Sequence, residues 1–320
     1  MDIDLVYMWV DGNDPDWQKK KACYADEDRN RSEETSGKCR YVQNDELKYS
    51  LRSVEEYAPW IHRVFIVTDG QTPHWLDTSN PRVRIVDHSE IIDARYLPLF
   101  NSTAIELNLN RIPGLSEHFL LANDDFYIGR AVDPSFFFKA DGTPIVRLKH
   151  KDIVRGFSRY QDKLMNMVDE TVRRYGSCCM KAPHHNIDAY RKSDWTECLS
   201  EYPEWYERTM SHRFRTEGDM HKHLIALWML QRGRGELKIV DKWNRIESRW
   251  GRIKAFITQR YATDSRYFSV RTPSFPLYMK HYNPTLFTIN DDERATDRHR
   301  RKMVRFLEKC FPAPCEFEKK

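Results

Sequence analysis

The residues best suited to chemistry are Asn123-Asp124-Asp125, which directly follow an apolar run at 119–122 with the character of a buried strand. Two adjacent carboxylates at a strand end are costly to desolvate unless a cation or a donor meets them. Their oxygens are hard ligands that suit Mg²⁺ or Mn²⁺ shared with a substrate diphosphate. An isolated Asp-Asp pair is more often a plain Asx turn, and what favours a metal here is the strand-end placement beside other acids. A second set comprises His184-His185 and His212-x-x-Arg215 with Asp219. Imidazole can take a proton from a hydroxyl near neutral pH, and a guanidinium can clamp a phosphate with two parallel hydrogen bonds. The competing account is structural, since Arg215 and Asp219 are four apart and could pair on a helix surface. Asp11-Gly12-Asn13-Asp14 stands where an α/β sheet receives a nucleotide, although taken alone these residues are better explained as an ordinary turn. Neither a G-x-G-x-x-G nor a G-x-x-x-x-G-K-[ST] pattern occurs, which excludes those dinucleotide and P-loop readings. Cys178-Cys179 with His184, His185 and Cys198 match no structural zinc spacing.

These groups need elements to hold them. Residues 3–10 form a nearly unbroken apolar run, expected for a strand buried on both faces and stopped by the Asp11–Asp14 turn. Residues 19–38 are highly charged and predict a surface loop. Asn44 or Asp45 can cap a helix with Leu47, Leu51, Val54 and Ala58 on one face, closed by Pro59. Strands are expected at 64–68, 82–86 and 119–122, with a helix at 104–110. This alternation predicts an α/β fold with a Rossmann-like, mostly parallel sheet flanked by helices, whose ligands gather at the carboxyl ends of the strands. Asp11, Asp69 and the Asn123–Asp125 turn all fall at such ends. The texture then changes, predicting an α/β core at 1–150, a helical lobe at 151–233 and a C-terminal segment at 234–320 that completes one catalytic unit. That segment ends in a helix at 291–309, with Val304 and Leu307 inward and Arg298-His299-Arg300-Arg301-Lys302 outward.

Composition narrows the function. Lys and Arg number 52 against 48 Asp and Glu, a net +4 that argues against a dedicated nucleic-acid binder. No apolar run approaches the ~20 residues that span a bilayer, and no signal peptide is expected at the N-terminus. Seven cysteines without a framework spacing predict reduced thiols in a cytoplasmic protein. The basic outer face of the last helix offers a peripheral contact with the inner face of a membrane, although such a face is more often simply solvated.

The longer blocks carry a resemblance. Ile3-Asp4-Leu5-Val6-Tyr7-Met8-Trp9-Val10-Asp11-Gly12-Asn13-Asp14 resembles the first conserved block of the Stealth phosphotransferase family. The second block is long and includes Arg40-Tyr41, Asn44-Asp45-Glu46-Leu47-Lys48-Tyr49-Ser50-Leu51-Arg52-Ser53, Ala58-Pro59-Trp60 and Val64-Phe65-Ile66-Val67-Thr68-Asp69-Gly70-Gln71. It continues through Leu97-Pro98, Ala104-Ile105-Glu106 and Arg111-Ile112-Pro113-Gly114-Leu115-Ser116-Glu117 to Asn123-Asp124-Asp125. A looser third block is similar at His185, His212-x-x-Arg215 and Asp219-Met220, and a fourth at Phe287-Thr288-Ile289-Asn290-Asp291-Asp292. The resemblance implies transfer of a sugar-1-phosphate, such as N-acetylglucosamine-1-phosphate, from a UDP-sugar to a glycan hydroxyl with release of UMP. It implies Mg²⁺ or Mn²⁺ at Asp124 and Asp125, and a nucleotide site at Asp11, Gly12, Asn13, Asp14 and Arg52. It further implies catalytic roles for Glu106, Asp125, His185 and Arg215. Many members carry a proline two residues after the histidine where this chain has Ile187, which leaves His184 and His185 as alternatives, and the spacing to Arg215 favours His185. The rival readings are a metal-dependent glycosyltransferase that releases UDP and a non-catalytic glycan-binding protein.

Overall fold

A strand covered on both faces is largely apolar, and Ile3–Met8 (β1) is buried from Ile3 to Tyr7. In the computed structural model, which describes residues 1–24, 26, 41–246, 248–258 and 260–319, β1 lies at the centre of a five-stranded sheet. The chain continues through helices Pro15–Ala22 (α1) and Glu46–Tyr57 (α2), strands Val64–Thr68 (β2) and Val83–Asp87 (β3), and helices His88–Ile91 (α3) and Ser102–Glu106 (α4). Strands His118–Asn123 (β4), Phe126–Ile128 (β5) and Ile145–Asp152 (β6) follow, then helix Arg159–Tyr175 (α5) and strands Lys181–Pro183 (β7) and Asp188–Arg191 (β8).

The sheet order is β3-β2-β1-β4-β8, parallel except for β8, which runs antiparallel to β4. Side chains alternate across it, as the period of two requires. Val6, Phe65, Val67, Phe119 and Leu121 enter one core, while Leu5, Tyr7, Val64, Ile66, Leu120 and Ala122 enter the other against Leu47, Leu51 and Val54 of α2. Both faces are therefore covered, and the α/β expectation with a mostly parallel sheet holds.

The remaining elements are helices Lys192–Ser200 (α6), Pro203–Met210 (α7) and His223–Gln231 (α8), strand Glu236–Val240 (β9), helix Arg249–Thr258 (α9), strand Ser265–Ser269 (β10), helix Phe275–Tyr282 (α10), strand Leu286–Asn290 (β11) and helix Asp297–Cys310 (α11). Two three-stranded sheets, β10-β11-β5 and β7-β6-β9, join this second half to the first.

Several expectations need correction. The segment 151–233 is rich in helix but also supplies β7 and β8, and β8 completes the central sheet by burying Ala189 and Tyr190 beside Leu120 and Phe119. The helix expected at 104–110 is divided into α4 and a tight turn at Leu109–Arg111. The Asn108 side chain donates to the Ala104 carbonyl at 2.9 Å, a local bond that competes with the helix ladder. Part of the loop expected at 19–38 is the end of α1, whose first turn is capped by Asp14; residues 25 and 27–38 lie outside the described residues. Asp45 occupies the cap position of α2 but makes no side-chain cap bond, because its left-handed backbone (φ 63°) turns the carboxylate onto Lys48. The last helix starts at Asp297 rather than 291, since Asp291 and Asp292 are held by Arg300 and Arg271 and Thr296 supplies the capping box.

Candidate active site

The parallel register brings the turns after β1, β2 and β4 to one edge, because Met8 lies opposite both Val67 and Asn123. Gln43 ties this edge together. Its amide donates to the Val10 carbonyl at 2.6 Å and to Asp124 Oδ2 at 3.4 Å, while its oxygen accepts from Trp9 Nε1 at 3.0 Å. On the other side, β5 pairs antiparallel with β11 through Phe126 and Thr288, and that register carries Asn290 to Asp125, where Nδ2 donates to Oδ2 at 3.1 Å.

Asp124 and Asp125 are half-buried, and no lysine, arginine or histidine among the described residues pairs with either. Burial raises both carboxyls above the usual range, and the charge of Asp124 raises Asp125 well above it. Glu46 is buried close by and accepts from the Asn44 backbone and side chain at 2.6 and 2.7 Å. Burial, then the charge of Asp124, pushes Glu46 up to about 7. Among the described residues no group of three or more His, Cys, Asp or Glu forms a ready-made metal cage. Two uncompensated carboxylates with only amide donors still fit a hard cation completed by substrate phosphate oxygens.

Next to these acids lies a cleft of about 550 Å³, lined among others by Glu106, Lys149, Lys163, His185, Arg215 and Lys222. Asp188, Tyr160, Tyr267 and Asn290 also face it. Lys222 Nζ lies 3.2 Å from Asp188 Oδ2. Burial alone would raise the Asp188 carboxyl, but Lys222 and His184 outweigh it and bring it down to about 2. Glu106 is raised by burial, against the opposing pull of Lys222, Arg215 and Lys163. Lys163 donates to Thr103 Oγ1 at 3.0 Å, and Arg215 donates to Ser102 Oγ, so α4 presents its first turn to both cations.

The two adjacent histidines are separated by their environments. His184 is buried, with Nε2 2.9 Å from Asp188 Oδ1 and Nδ1 3.2 Å from Ser265 Oγ. His185 faces the cleft from a left-handed backbone position (φ 57°), a conformation costly for a non-glycine residue. Its carbonyl accepts from Thr288 Oγ1 at 3.2 Å, and its ring lies edge-on to Phe126 and Tyr267. Burial, reinforced by Lys222 and Lys149, lowers the His185 imidazole to about 3 and keeps it neutral.

Residues 211–222 do not form a helix, so the surface pair between Arg215 and Asp219 is not made. Asp219 is instead buried at the hub of the loop. Its Oδ1 accepts from His212 Nδ1 at 2.7 Å and Thr216 Oγ1 at 2.6 Å, and its Oδ2 from Asn101 Nδ2 at 2.9 Å and the Thr216 backbone at 2.7 Å. That arrangement leaves Arg215 and Lys222 to line the cleft.

Of the residues read from the sequence, Glu106, His185 and Arg215 come together in the cleft, with Asp124 and Asp125 at the strand end beside Asn123, which lines it. The Asp11–Asp14 turn is at the same sheet edge but does not line this cleft. Gln71 staples it, meeting Asp11 through both backbone groups at 2.9 and 3.0 Å and donating to Asp14 Oδ2 at 2.8 Å. Asp14 also caps α1, and a Cβ on Gly12 would overlap Tyr41. Asn13 donates its backbone N–H to Asp11 at 2.9 Å. Arg52 stands apart. Its guanidinium binds both oxygens of Glu318 at 2.6 and 2.7 Å and the Phe311 carbonyl at 2.9 Å, tying the C-terminal segment to α2.

Sequence reasoning passed over Lys149, Lys163, Asp188 and Lys222, and gave no role to Glu46 and Asn290 beyond their place in the conserved blocks. A signal existed for Lys163, which shares the buried face of α5 with Leu164 and Met167, an unusual place for lysine. All six described cysteines are free thiols, and Cys39 lies outside the described residues. No helix among the described residues is long and apolar enough to cross a membrane.

Comparisons with known proteins identify the family. The conserved region 1 description of Stealth proteins matches residues 1–28, and the conserved region 2 description matches 40–146. An exopolysaccharide phosphotransferase of Streptomyces coelicolor is 35% identical over 334 residues, covering 99% of this chain and 52% of the relative. An exopolysaccharide phosphotransferase of Lactiplantibacillus plantarum is 35% identical over 260 residues, covering 72% and 75% respectively. Among solved structures, the galactosyltransferase LgtC with donor and acceptor sugar analogs superposes with a TM-score of 0.44 at 13% identity, covering 98% of both chains. The chain spans about half the length of the Streptomyces relative. With conserved regions 1 and 2 in order and 35% identity across three quarters of a curated relative, the chain belongs to the Stealth family.

Proposed function

We propose that this chain transfers a hexose-1-phosphate from a UDP-sugar to a hydroxyl of a glycan acceptor, forming a phosphodiester and releasing UMP. The observation that carries the reading is the juxtaposition of two opposite charge environments. Uncompensated carboxylates at Asp124 and Asp125 border a cleft whose lining includes Lys149, Lys163, Arg215 and Lys222, with a neutral imidazole facing it. The first environment suits a cation and the second suits phosphate oxygens. The neutral imidazole becomes a competent base for a hydroxyl proton once the anionic donor in the cleft offsets the Lys222 and Lys149 charges that help hold it at about 3. The names of the curated relatives, polysaccharide phosphotransferases, support the same class.

Phosphoryl transfer is largely positioning and charge neutralisation. Arg215 would grip the transferring phosphoryl group, with Lys222 and Lys163 adding charge beside it. His185 would accept the proton of the acceptor hydroxyl as its oxygen bonds to phosphorus and the bond from phosphorus to the UMP oxygen breaks. Asp188 holds Lys222 in place, and Glu106 faces the same cations as a buried acidic group. Asp124 and Asp125 would hold Mg²⁺ or Mn²⁺, which when bound neutralises the donor diphosphate.

The test is to incubate the protein with UDP-sugars, Mg²⁺ or Mn²⁺ and acceptor oligosaccharides, and to identify the nucleotide released. UMP with a phosphodiester signal in the phosphorus NMR of the product is expected, and the anomeric configuration is retained because no bond to C1 breaks. UDP as the sole nucleotide, with no phosphodiester, would replace this reading with a glycosyltransferase.

A further inference from the structure

The described surface carries an apolar stripe that the cleft does not use. On α9, Trp250, Ile253 and Ile257 occupy the i, i+3 and i+7 positions of one helix face, exposed by 81%, 41% and 72%, with Phe256 beside them at 62%. The opposite side of the helix is anchored, since Ala255 is buried there. This inverts the usual surface helix, whose apolar stripe faces the core. The charges around the stripe are one-sided. Residues 248–260 contain Arg249, Arg252, Lys254 and Arg260, all exposed, and no acidic residue, so the four cations outweigh the single acid, Glu247, just before them in the sequence.

An exposed stripe of tryptophan, phenylalanine and isoleucine set among cations has the chemistry of a helix lying in a membrane interface. The indole suits the headgroup level, the aliphatic side chains suit the acyl boundary, and the cations complement anionic headgroups. A second copy of this chain fits less well, because a symmetric contact would set the four cations against themselves. Helix α11, whose basic face was the sequence-based expectation for such a contact, offers charge alone. Its Met303 and Leu307 are packed into the core, and it exposes none of the large apolar residues.

We infer that α9 is an interfacial helix that docks the protein on an anionic phospholipid surface. Docking lays the helix parallel to the bilayer, with Trp250 and Ile257 inserted and Arg249 and Lys254 at the headgroups.

The test is co-sedimentation of the protein with vesicles of phosphatidylcholine alone and of phosphatidylcholine with phosphatidylglycerol. Binding is expected to the phosphatidylglycerol vesicles only and to weaken as salt is raised. The double variant Trp250→Asp/Ile257→Asp should lose about tenfold or more in partitioning while its melting temperature stays at the wild-type value, because both side chains are exposed. Arg249→Gln/Lys254→Gln should weaken binding and flatten its salt dependence. Absence of binding at low salt, or equal binding by the apolar double variant, would overturn the inference. So would a salt-stable dimer that the same variant dissociates, with no vesicle binding by the wild type. None of these readouts depends on the transfer reaction.

Discussion

Replacing Asp219 tests whether one buried carboxylate holds the loop that delivers Arg215 and Lys222 to the cleft. Its oxygens accept four hydrogen bonds, from His212, Asn101 and two groups of Thr216, and Lys163 Nζ lies 4.0 Å away. Hydrogen bonds to a charged acceptor contribute about 1.5–3 kcal/mol each, but the donors at His212 and Thr216 can reach water once the loop loosens. Asn101 is fully buried and would keep only the His212 and Phe214 carbonyls, at 3.0 and 3.3 Å, as acceptors, and Lys163 would lose the nearby carboxylate. Removing one member of such a buried network costs about 3–5 kcal/mol, so Asp219→Ala should be destabilised by that amount. At about 2 °C per kcal/mol for a chain of this size, its melting temperature should fall by ~6–10 °C. Asp219→Asn keeps the shape, but its amide brings a donor toward groups that also donate, so it should lie between Ala and wild type. Assayed below its melting temperature, the Asn variant should still lose about tenfold or more in transfer rate, since a small misplacement of Arg215 weakens the clamp. A shift of the Ala variant within about 1 °C would refute the argument that Asp219 organises the loop.

His185→Ala should lower the chemical step by roughly 10²–10⁴, the contribution of a positioned base, whereas His184→Ala should mainly lower stability by cutting the contacts to Asp188 and Ser265. The reverse pattern would assign the base to His184. Because the His185 imidazole is lowered to about 3, the pH profile of kcat/KM should show no inflection near ~6.5 that vanishes in His185→Gln. Below pH ~6.5 the unfolded chain binds a proton at this position and the folded chain does not. Stability should therefore fall as pH drops toward about 3, and His185→Gln should flatten that slope; an unchanged slope would contradict the neutral assignment. Asp125→Asn should abolish transfer and yet melt at or above the wild-type temperature at pH 8. Its carboxyl titrates above the unfolded value, so the charged form costs folding free energy wherever the unfolded group is ionised. Full turnover in EDTA, or a wild-type rate in the variant, would remove the cation from the proposal.

The patterns legible in the sequence are those enforced by neighbours along the chain. The apolar runs of β1, β2 and β4 and the amphipathic spacing of α2 specify their elements, because a strand flanked on both sides and a helix with one buried face leave period-specific traces. The strand-end acids were legible for the same reason, since a turn must follow a buried strand and its polar residues mark the sheet edge. The partners that tune those acids were not. Asn290 is 165 residues from Asp125 and meets it only through the pairing of β5 with β11, a register that neither segment reveals alone. Asp219 read locally as one half of a helix pair with Arg215, but buried donors from a distant cap, Asn101, and from its own loop claim its carboxylate. His184 and His185 are the same residue in composition and spacing, and a left-handed backbone angle at one of them turns its ring to the cleft while the other is held by Asp188. Short-range burial patterns belong to single segments, whereas hydrogen-bond partners and pKa shifts belong to pairs of segments, and only the closed fold decides which segments meet.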